Sequence, residues 1–323
     1  MEMNTMRITG VTAMLLLSGG TAAAAWPEKP VRVVLSVPAG ATPDVTARLI
    51  FPALSQQLGA ALVADNRAGG GGVIGAEIAA KAAPDGYTLF ISSPGALTIL
   101  PHLRKGLPYD TLRDFAPVSL ISIGPFVLMT HPSVPAKTIK ELIALAKSQP
   151  GKLNYASAGN GVANHLAGEL FKQMAGLDIV HVPYKGAPQA VNDVLAGHMN
   201  MMFNSVAPIV GFIKAGKVRV LGIASLQRSP QLPEVPTIHE SGVPGFEAVN
   251  WFGLFAPAKT PKPIIARLNA VTVKAIKSPE LQAQFVALGA DPVGSSVEEF
   301  AAFVRRDLEK YEKVVRLSGA KLD

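Results

Sequence analysis

The sequence predicts an α/β protein with two lobes, and three observations lead to this fold class. Apolar, β-branched runs alternate with helical patterns, an order typical of sheets that are covered by helices. A buried strand followed by a small-residue loop and a helix start occurs twice along the chain. Two further apolar runs, FAPVSLISIGPFVLMTHP and VNWFGLFAP, lie where the chain would leave one lobe and return to it. Two such crossings make a hinge, which favours closure around a ligand.

The first 25 residues are typical of an export signal. Arg7 lies in a short charged region, VTAMLLL is the apolar region, and TAAAA offers cleavage after Ala24 or Ala25. A membrane anchor is the alternative, but the apolar run is much shorter than the roughly 20 residues of a span. Roughly 300 residues then remain, enough for two domains. We predict a signal peptide at 1–25, a first lobe at 26–126 plus 252–323, and a second lobe at 127–251.

Composition excludes several classes of function. The net charge of +7 permits an anionic ligand, but the basic residues are scattered singly, as in Lys137, Lys140 and Lys147. No basic run is interleaved with aromatic residues, so nucleic-acid binding is not expected. The chain has no cysteine, which excludes disulfides, zinc–thiolate sites and cysteine nucleophiles. Its stability must come from the core, and a hydrophobic content of 49% permits a large one.

The first strand–loop–helix unit is the first candidate ligand site. VRVVLSV is predicted to be a strand, and a tight loop follows it. Thr42 is a suitable N-cap, Pro43 suits the first helical position, and Asp44 favours the positive end of the helix dipole. Backbone N–H groups at such a helix start can bind an anion without a cationic side chain. The candidate ligand-binding residues here are Ala39, Gly40, Ala41, Thr42 and Asp44.

The chain then continues as ALVADN, a second strand, followed by the run Gly69–Gly72 and a short helix near Ala76 to Ala82. The glycine run lacks the Gly-Lys-Ser/Thr that completes a phosphate loop, so we interpret it as a tight connection. YTLFIS is the third strand. Ser93 follows this strand and could face a ligand crevice at the strand's carboxyl end, or could simply cap the next helix. The sequence leaves both interpretations open.

The second strand–loop–helix unit begins after a helix that a capping box opens at Thr138 and Glu141. Leu153 to Ala156 is a short strand, a glycine-containing loop follows, and the next helix ends near Gly176. The unit imitates a dinucleotide fingerprint, but Asn164 stands in place of the third glycine and no acidic residue ends IVHVPY. What remains is a general anion loop. Its candidate ligand-binding residues are Ser157, Gly159, Asn160, Gly161, Asn164 and His165.

The rest of the chain supplies further strands and helices. IVHVPY and VRVLGIAS are strands, and VNWFGLFAP is a strand that could pair with FVLMTHP. We predict helices at Gln189–Ala196, around Ser205–Lys214, at Lys262–Lys277, and again after Ser278-Pro279. Leu232–Gly245 is rich in proline and irregular. Ser296 and Glu299 form a capping box for the last long helix, whose apolar face includes Phe300, Phe303, Val304, Leu308, Tyr311 and Val315.

No catalytic constellation emerges from the sequence. There is no G-x-S-x-G and no H-E-x-x-H, and the six histidines lack the spacing of metal ligands. We therefore expect no metal, no cofactor and no enzymatic activity. His165 is the one histidine placed to touch a ligand, because it lies in the first turns after the glycine loop. An exported hydrolase using Ser157 and His165 is the alternative, but no acid is placed to orient the imidazole.

An ordered set of motifs adds a family resemblance over essentially the whole chain. They are WPEKPVRVV, PAGATPDVTAR, DNRAGGGGVIGAEIAAKAAPDGYTL, LPYDTLRDFAPVSL, HPSVPAKTIKEL, NYASAGNGVANHLAGELFKQMAG, VHVPYKGAPQAVNDVLAGH and RSPQLPEVPTIHESGVPGFEAVNWFGLFAPAKTPKP. With these motifs the chain resembles the extracytoplasmic solute-binding receptors of tripartite tricarboxylate transporters, known as Bug receptors.

The resemblance implies a periplasmic-binding-protein fold of the Venus flytrap, type II-like, kind that holds one small organic carboxylate between its lobes. Such ligands are gripped between two loops, here Pro38–Asp44 and Ser157–Asn164, with Ser93 and Asn204 on the cleft walls. A periplasmic receptor of this kind is expected to be a monomer that hands its ligand to integral membrane transporter subunits. A sensor protein as the partner is an alternative that the sequence cannot separate from transport.

Two departures from the family pattern bear on the ligand. The first loop commonly has a glycine pair, and here Gly40 is followed by Ala41, whose methyl group restricts the backbone. The segment MMFNS commonly has an acidic residue where this chain has Asn204. A neutral side chain at this position neither attracts an ammonium group nor repels a ligand acid. We therefore expect a weak preference for zwitterionic amino acids and better tolerance of plain carboxylic acids.

Overall fold

The structure is a computed structural model that describes residues 26–184, 186–230 and 232–318. The predicted signal peptide at 1–25 lies outside these ranges. Among the helices in the described part of the chain, none is long and apolar enough to cross a membrane.

One end of the molecule is built on parallel strands. The chain forms β1 (Val31–Leu35), α1 (Thr42–Leu58), β2 (Leu62–Asn66), α2 (Val73–Ala80) and β3 (Thr88–Ser92). β1 lies between β2 and β3 and pairs in parallel with both. Because the strand is covered on both faces, four of its five residues are buried and apolar; the fifth, Arg32, pairs with Asp65 of β2. α1 has Ala41 rather than the predicted Thr42 as its N-cap, one residue earlier, and no side chain caps it.

The chain then runs toward the other end. A π-helical turn at Gly95–Ile99 leads into α3 (Leu100–Leu103), α4 (Thr111–Asp114) and the long strand β4 (Phe115–Thr130). The second α/β region follows as α5 (Ile139–Ser148), β5 (Asn154–Ser157), α6 (Ala163–Ala175), β6 (Val180–Pro183), α7 (Ala187–Leu195), β7 (Met201–Ser205), α8 (Val210–Lys214) and β8 (Arg219–Ile223). Thr138 caps α5 as predicted, since its hydroxyl accepts the N–H of Glu141.

The last part of the chain returns to the first end. It forms β9 (Val249–Pro257), α9 (Lys262–Ile276), α10 (Pro279–Ala287), β10 (Asp291–Pro292) and α11 (Val297–Ser318). The strands form one mixed, curled sheet in the order β2-β1-β3-β9-β4-β7-β5-β6, with β8 and β10 also paired to β4. The structure therefore has the predicted α/β class, but its sheet is mixed because β9 and β7 each run antiparallel to β4.

β4 connects the two ends within one strand. Its residues Phe115–Pro125 pair with β9, and its residues Phe126–Thr130 pair with β7 and β8. The expectation that VNWFGLFAP pairs with FVLMTHP is therefore wrong. β9 lies between β3 and the first part of β4, so the hydrogen bonds of FVLMT are left for β7 and β8. Gly124-Pro125 does not interrupt the strand but marks the point where its partners change.

Each end has its own core. The core of the first end includes Val33, Ile50, Leu89 and Leu254, and Leu268 of α9. The core of the second end includes Leu128, Tyr155, Phe171 and Phe203, which lie on β4, β5, α6 and β7. The last turns of α11 belong to this second core through Tyr311, Val314 and Val315, whereas Phe300, Phe303 and Val304 earlier in the helix pack with Trp251.

A buried ionic group lies where α11 passes from one core to the other. Asp307 Oδ2 accepts hydrogen bonds from Thr98 Oγ1 at 2.6 Å and from Trp251 Nε1 at 2.8 Å. Its Oδ1 lies 2.6 Å from Lys310 Nζ, and the Asp307 side chain is only 2% exposed. Burial alone would lower the pKa of Lys310, but the neighbouring carboxylate outweighs burial and raises it. Asp307 thus joins α11 to β9 and to the π-helical turn.

Replacing Asp307 with Ala should destabilise the protein by about 3 kcal/mol, because it leaves a buried ammonium group and two buried donors without their acceptor. Urea unfolding of the purified chain measures this loss. The control is Glu309→Ala, an exposed position on the same helix, which should change the free energy of unfolding by less than about 0.5 kcal/mol. Equal effects of the two substitutions would contradict the structural role of Asp307.

Candidate functional site

The carboxyl ends of the parallel strands at both ends of the molecule face the point where β4 changes partners. β1 and β3 are parallel to each other, and β3 runs antiparallel to β9, which itself runs antiparallel to β4. β1 and β3 therefore end on the side where β4 leaves the first core. β5 is parallel to β7, and the last residues of β7 pair with the start of the second part of β4. The loops after β1, β3, β5 and β7 thus flank one crossover.

The loop after β1 is organised by Asp44. This carboxylate is 2% exposed, and its Oδ2 accepts the backbone N–H of Gly40 at 2.8 Å. Its Oδ1 accepts Asn66 Nδ2 at 3.0 Å, and both oxygens lie 3.0 Å from Arg48 Nε. Hydrogen bonding by Arg48, together with the Gly40 N–H and Asn66, lowers the pKa of Asp44 to about 2 despite the opposing effect of burial. Asp44 therefore holds the loop as an ionised internal acceptor.

Asn66 completes this arrangement by also donating to the carbonyl of Val37 at 3.2 Å. It stands at the end of β2, beside the end of β1, and so joins two neighbouring strand ends. Ala39 and Gly40 are exposed at the tip of the loop and Ala41 is half-buried. The side chain of Thr42 lies outside the described part of the structure.

The loop after β5 is also held by internal hydrogen bonds. Ser157 is fully buried; its hydroxyl donates to the carbonyl of Gly159 at 2.9 Å and lies 2.7 Å from His181 Nε2. Asn164 Oδ1 accepts the N–H of Ala158 at 3.2 Å, and His165 Nδ1 accepts the N–H of Gly161 at 3.0 Å. Gly159 and Gly161 have φ values of 144° and 72°, which favour glycine. Asn160 is exposed at the tip.

Three rings are stacked beneath this loop. The centre of the His181 ring lies 3.9 Å from that of His165 and 4.9 Å from that of Tyr155, and the His165 and Tyr155 centres are 6.5 Å apart. Burial lowers the pKa of His165. Burial, with the adjacent His165 as a further cause, lowers the pKa of His181 to about 4. Both imidazoles are therefore neutral at pH 7.

The remaining predicted residues lie at the ends of β3 and β7. Asn204 is 6% exposed and pairs in register with Val127 of β4. Its Nδ2 is buried and has no hydrogen-bond partner among the described residues. Ser93 is half-buried directly after β3, while its neighbour Ser92 has a buried hydroxyl that also lacks a partner there. Buried polar atoms normally have hydrogen-bond partners, so Asn204 Nδ2 and the Ser92 hydroxyl are each suited to bonding a water or a ligand atom.

Three residues that organise the site were not singled out from the sequence. They are Arg48, Asn66 and His181. Arg48 had a readable signal, since a cation four residues after Asp44 on a helix faces the carboxylate. His181 had no local signal, because it meets Ser157 and Tyr155 only through the pairing of β5 and β6. The partnership of Asn66 with Asp44 depends on strand order and has no local signal. Within the described ranges, no group of three or more His, Cys, Asp or Glu side chains could hold a metal ion.

Comparison with known proteins identifies a family. The model of the tripartite tricarboxylate transporter family receptors matches residues 46–319. The protein BugT of Bordetella pertussis (strain Tohama I) is 37% identical over 325 residues, which cover 99% of this chain and 100% of BugT.

Solved structures of similar proteins share the fold. The R. palustris protein Rpa4515 with adipate is 34% identical, with a TM-score of 0.74, over 92% of this chain and 99% of that one. MatC from Rhodopseudomonas palustris with bound malate is 32% identical, with a TM-score of 0.70, over 90% of this chain and 100% of that one. These matches confirm the predicted periplasmic-binding-protein fold and agree with a receptor rather than an enzyme.

Asp44→Asn should destabilise the protein by about 2 kcal/mol at pH 7, because charge-assisted hydrogen bonds to Arg48 and Gly40 become neutral or are lost. The pKa of Asp44 is lowered on folding, so its contribution is complete above the unfolded value of 3.8 and is lost as the pH falls through about 2. Urea unfolding at pH 7 and near pH 3 measures the difference. The exposed Asp178→Asn serves as control; a wild type and an Asp44→Asn variant of equal stability at pH 7 would contradict the role of Asp44.

Proposed function

The chain belongs to the tripartite tricarboxylate transporter receptor family, and from this premise we propose that it is a periplasmic receptor for a small organic carboxylate. The ligand lies between the loop after β1 and the loop after β5. Its proposed contacts are Ala39, Gly40, Ala41, Thr42, Asp44, Ser93, Ser157, Gly159, Asn160, Gly161, Asn164, His165 and Asn204. Adipate and malate, which occupy two similar receptors, support a carboxylate as the class of ligand.

The observation that carries this proposal is the buried Nδ2 of Asn204, which has no hydrogen-bond partner among the residues that the structure describes. An amide donor without an acceptor costs free energy unless a bound group supplies the acceptor. Asn204 stands at the carboxyl end of β7, beside the partner change in β4 that the other strand ends also flank. A ligand carboxylate oxygen is an acceptor of the required kind. Because the donor is neutral, binding would not depend on an ion pair at this position.

The proposed lobes are 26–126 plus 252–323 and 127–251, with β4 and β9 as the connections. A ligand stabilises the closed form only by the contacts that it makes better there than in the open form. We propose that residues 1–25 direct export and are removed. The mature monomer would present its ligand to integral membrane transporter subunits; a sensor protein would use the same closed form.

A hydrolase is the other function that a structural observation suggests, since Ser157 Oγ lies 2.7 Å from His181 Nε2. Two features argue against it. The Ser157 hydroxyl is fully buried and already donates to Gly159 O. Burial lowers the pKa of His181 to about 4, whereas a general base works best with a pKa near the working pH. The pair is better suited to holding the loop.

The receptor proposal predicts that a carboxylate raises the melting temperature of the purified mature protein, because ligand binding to the native state stabilises it by linkage. A thermal-shift screen would use adipate, malate, aromatic acids, nicotinate and amino acids. A shift with one class of carboxylate, confirmed by calorimetry, would support the proposal. If protein shown to be free of co-purified ligand responds to no anion, the proposal is wrong.

Asn204→Asp should weaken binding of a dianion such as adipate or malate at least several-fold, because a carboxylate replaces the neutral amide beside the ligand. Asn204→Ala is the matched control, since it removes the donor without adding charge. Calorimetry should give the order wild type, Asn204→Ala, Asn204→Asp from tightest to weakest. An unchanged affinity in Asn204→Asp would remove Asn204 from the proposed site.

A further inference from the structure

His165 and His181 both bond to the loop that would hold the ligand, and of the two only His165 is among the proposed ligand contacts. His165 Nδ1 accepts the Gly161 N–H, and His181 Nε2 meets Ser157 Oγ. The ring centres are 3.9 Å apart and the planes differ by 17°. His165 is 6% exposed. The two rings thus bond to the loop at Ser157 and at Gly161.

The hydrogen bonds determine which ring nitrogens can carry protons. Nδ1 of His165 accepts a backbone N–H, so it must be unprotonated. The Ser157 hydroxyl donates its only proton to Gly159 O, so His181 Nε2 must be the donor to Ser157 Oγ. His165 can keep its bond only as a neutral imidazole with its proton on Nε2. A second proton on that ring removes the acceptor for Gly161.

The groups packed around the rings come from β5, α6 and β6. Tyr155 also stacks against His181, and its hydroxyl donates to Glu169 Oε1 at 2.6 Å. Lys172 Nζ lies 3.8 Å from Glu169 Oε1. Glu169 favours a charged His165, but burial opposes it more strongly, and Lys172 adds to that opposition. Because the two rings are in van der Waals contact, electrostatic repulsion also disfavours the protonation of both at once.

We propose that His165 is a positioning residue that holds the loop 157–164 in its ligand-binding form only while its ring is neutral, so that acidification releases the ligand; His181 packs against it and can donate to Ser157 in either charge state. This inference rests on the proposed function of the loop. Protonation of His165 frees the Gly161 peptide, and the glycine at this position imposes no barrier to its rotation. Burial lowers the pKa of His165 below its ordinary value of 6.5, so the folded form binds fewer protons than the unfolded chain; the ordered loop is present at pH 7 and is lost as the pH falls through the lowered pKa of His165.

The first experiment needs no ligand. The protein is labelled with ¹⁵N-glycine and ¹³C-histidine, and the Gly161 amide and the His165 ring are followed by NMR between about pH 7 and pH 4. The Gly161 amide proton should lose its hydrogen-bonded shift with the same midpoint as the His165 titration. A Gly161 amide that stays unchanged while His165 becomes protonated would overturn the proposal.

Two variants separate positioning from simple packing. In His165→Asn the side-chain oxygen replaces Nδ1 as acceptor but does not titrate, so the Gly161 signal should become independent of pH. In His181→Gln a donor remains near Ser157 and no charge is removed at the pH where His165 titrates, so the Gly161 signal should still titrate with His165. Exposed His198→Gln is the control and should leave the midpoint in place. A Gly161 signal that no longer depends on pH in His181→Gln, or that still does in His165→Asn, would contradict His165 as the titrating group.

The second experiment measures binding of adipate and malate at about pH 7 and pH 5.5 in wild type and His165→Asn. Protonation of the ligand affects both proteins equally, so it cancels in the comparison. Wild type should lose affinity at least several-fold more than His165→Asn. Equal losses would overturn acid release. If wild type binds neither probe nor any acid of the screen at pH 7, the proposed function fails, while the Gly161 titration still decides the positioning role.

Discussion

The rest of the structure depends on the hydrogen bonding of a single strand, β4. Its first eleven residues complete one half of the sheet and its last five complete the other. A strand has one fixed direction, so the directions of β1, β3, β5 and β7 are all determined relative to it. Their carboxyl ends therefore flank the same crossover. Helix starts and loops follow these ends, and this is where the chain has the backbone groups that suit an anion.

The two loops at this crossover are ordered by different chemistry. An ionised carboxylate, Asp44, holds the loop after β1 through an arginine, an asparagine and a backbone N–H. Neutral groups hold the loop after β5: a serine, an asparagine and two stacked imidazoles. The first arrangement is insensitive to pH above about 4, whereas the second is sensitive below about 6.5. The proposed response to acid is therefore confined to the loop after β5.

Local signals in the sequence were sufficient for much of the fold. Apolar runs located β1, β3, β4 and β9, and the capping box at Thr138 and Glu141 located the start of α5 within one residue. Strand pairing was harder to predict, because an apolar run such as FVLMT indicates a buried strand but does not indicate which strand it pairs with. The two loops were recognised from strand–loop–helix order. His181 and Asn66 were missed because their partners lie 24 and 22 residues away and meet them only through sheet register.

α11 has a consequence for how far the cleft can open. Its first half packs with Trp251 and its last turns pack in the core of the second end, with Asp307 bonded to β9 in between. A rigid helix anchored in both cores cannot lengthen, so any motion must keep the two anchor points at a constant separation. Any rotation between the two ends would therefore have its axis near α11, and the two ends would separate most on the side farthest from the helix.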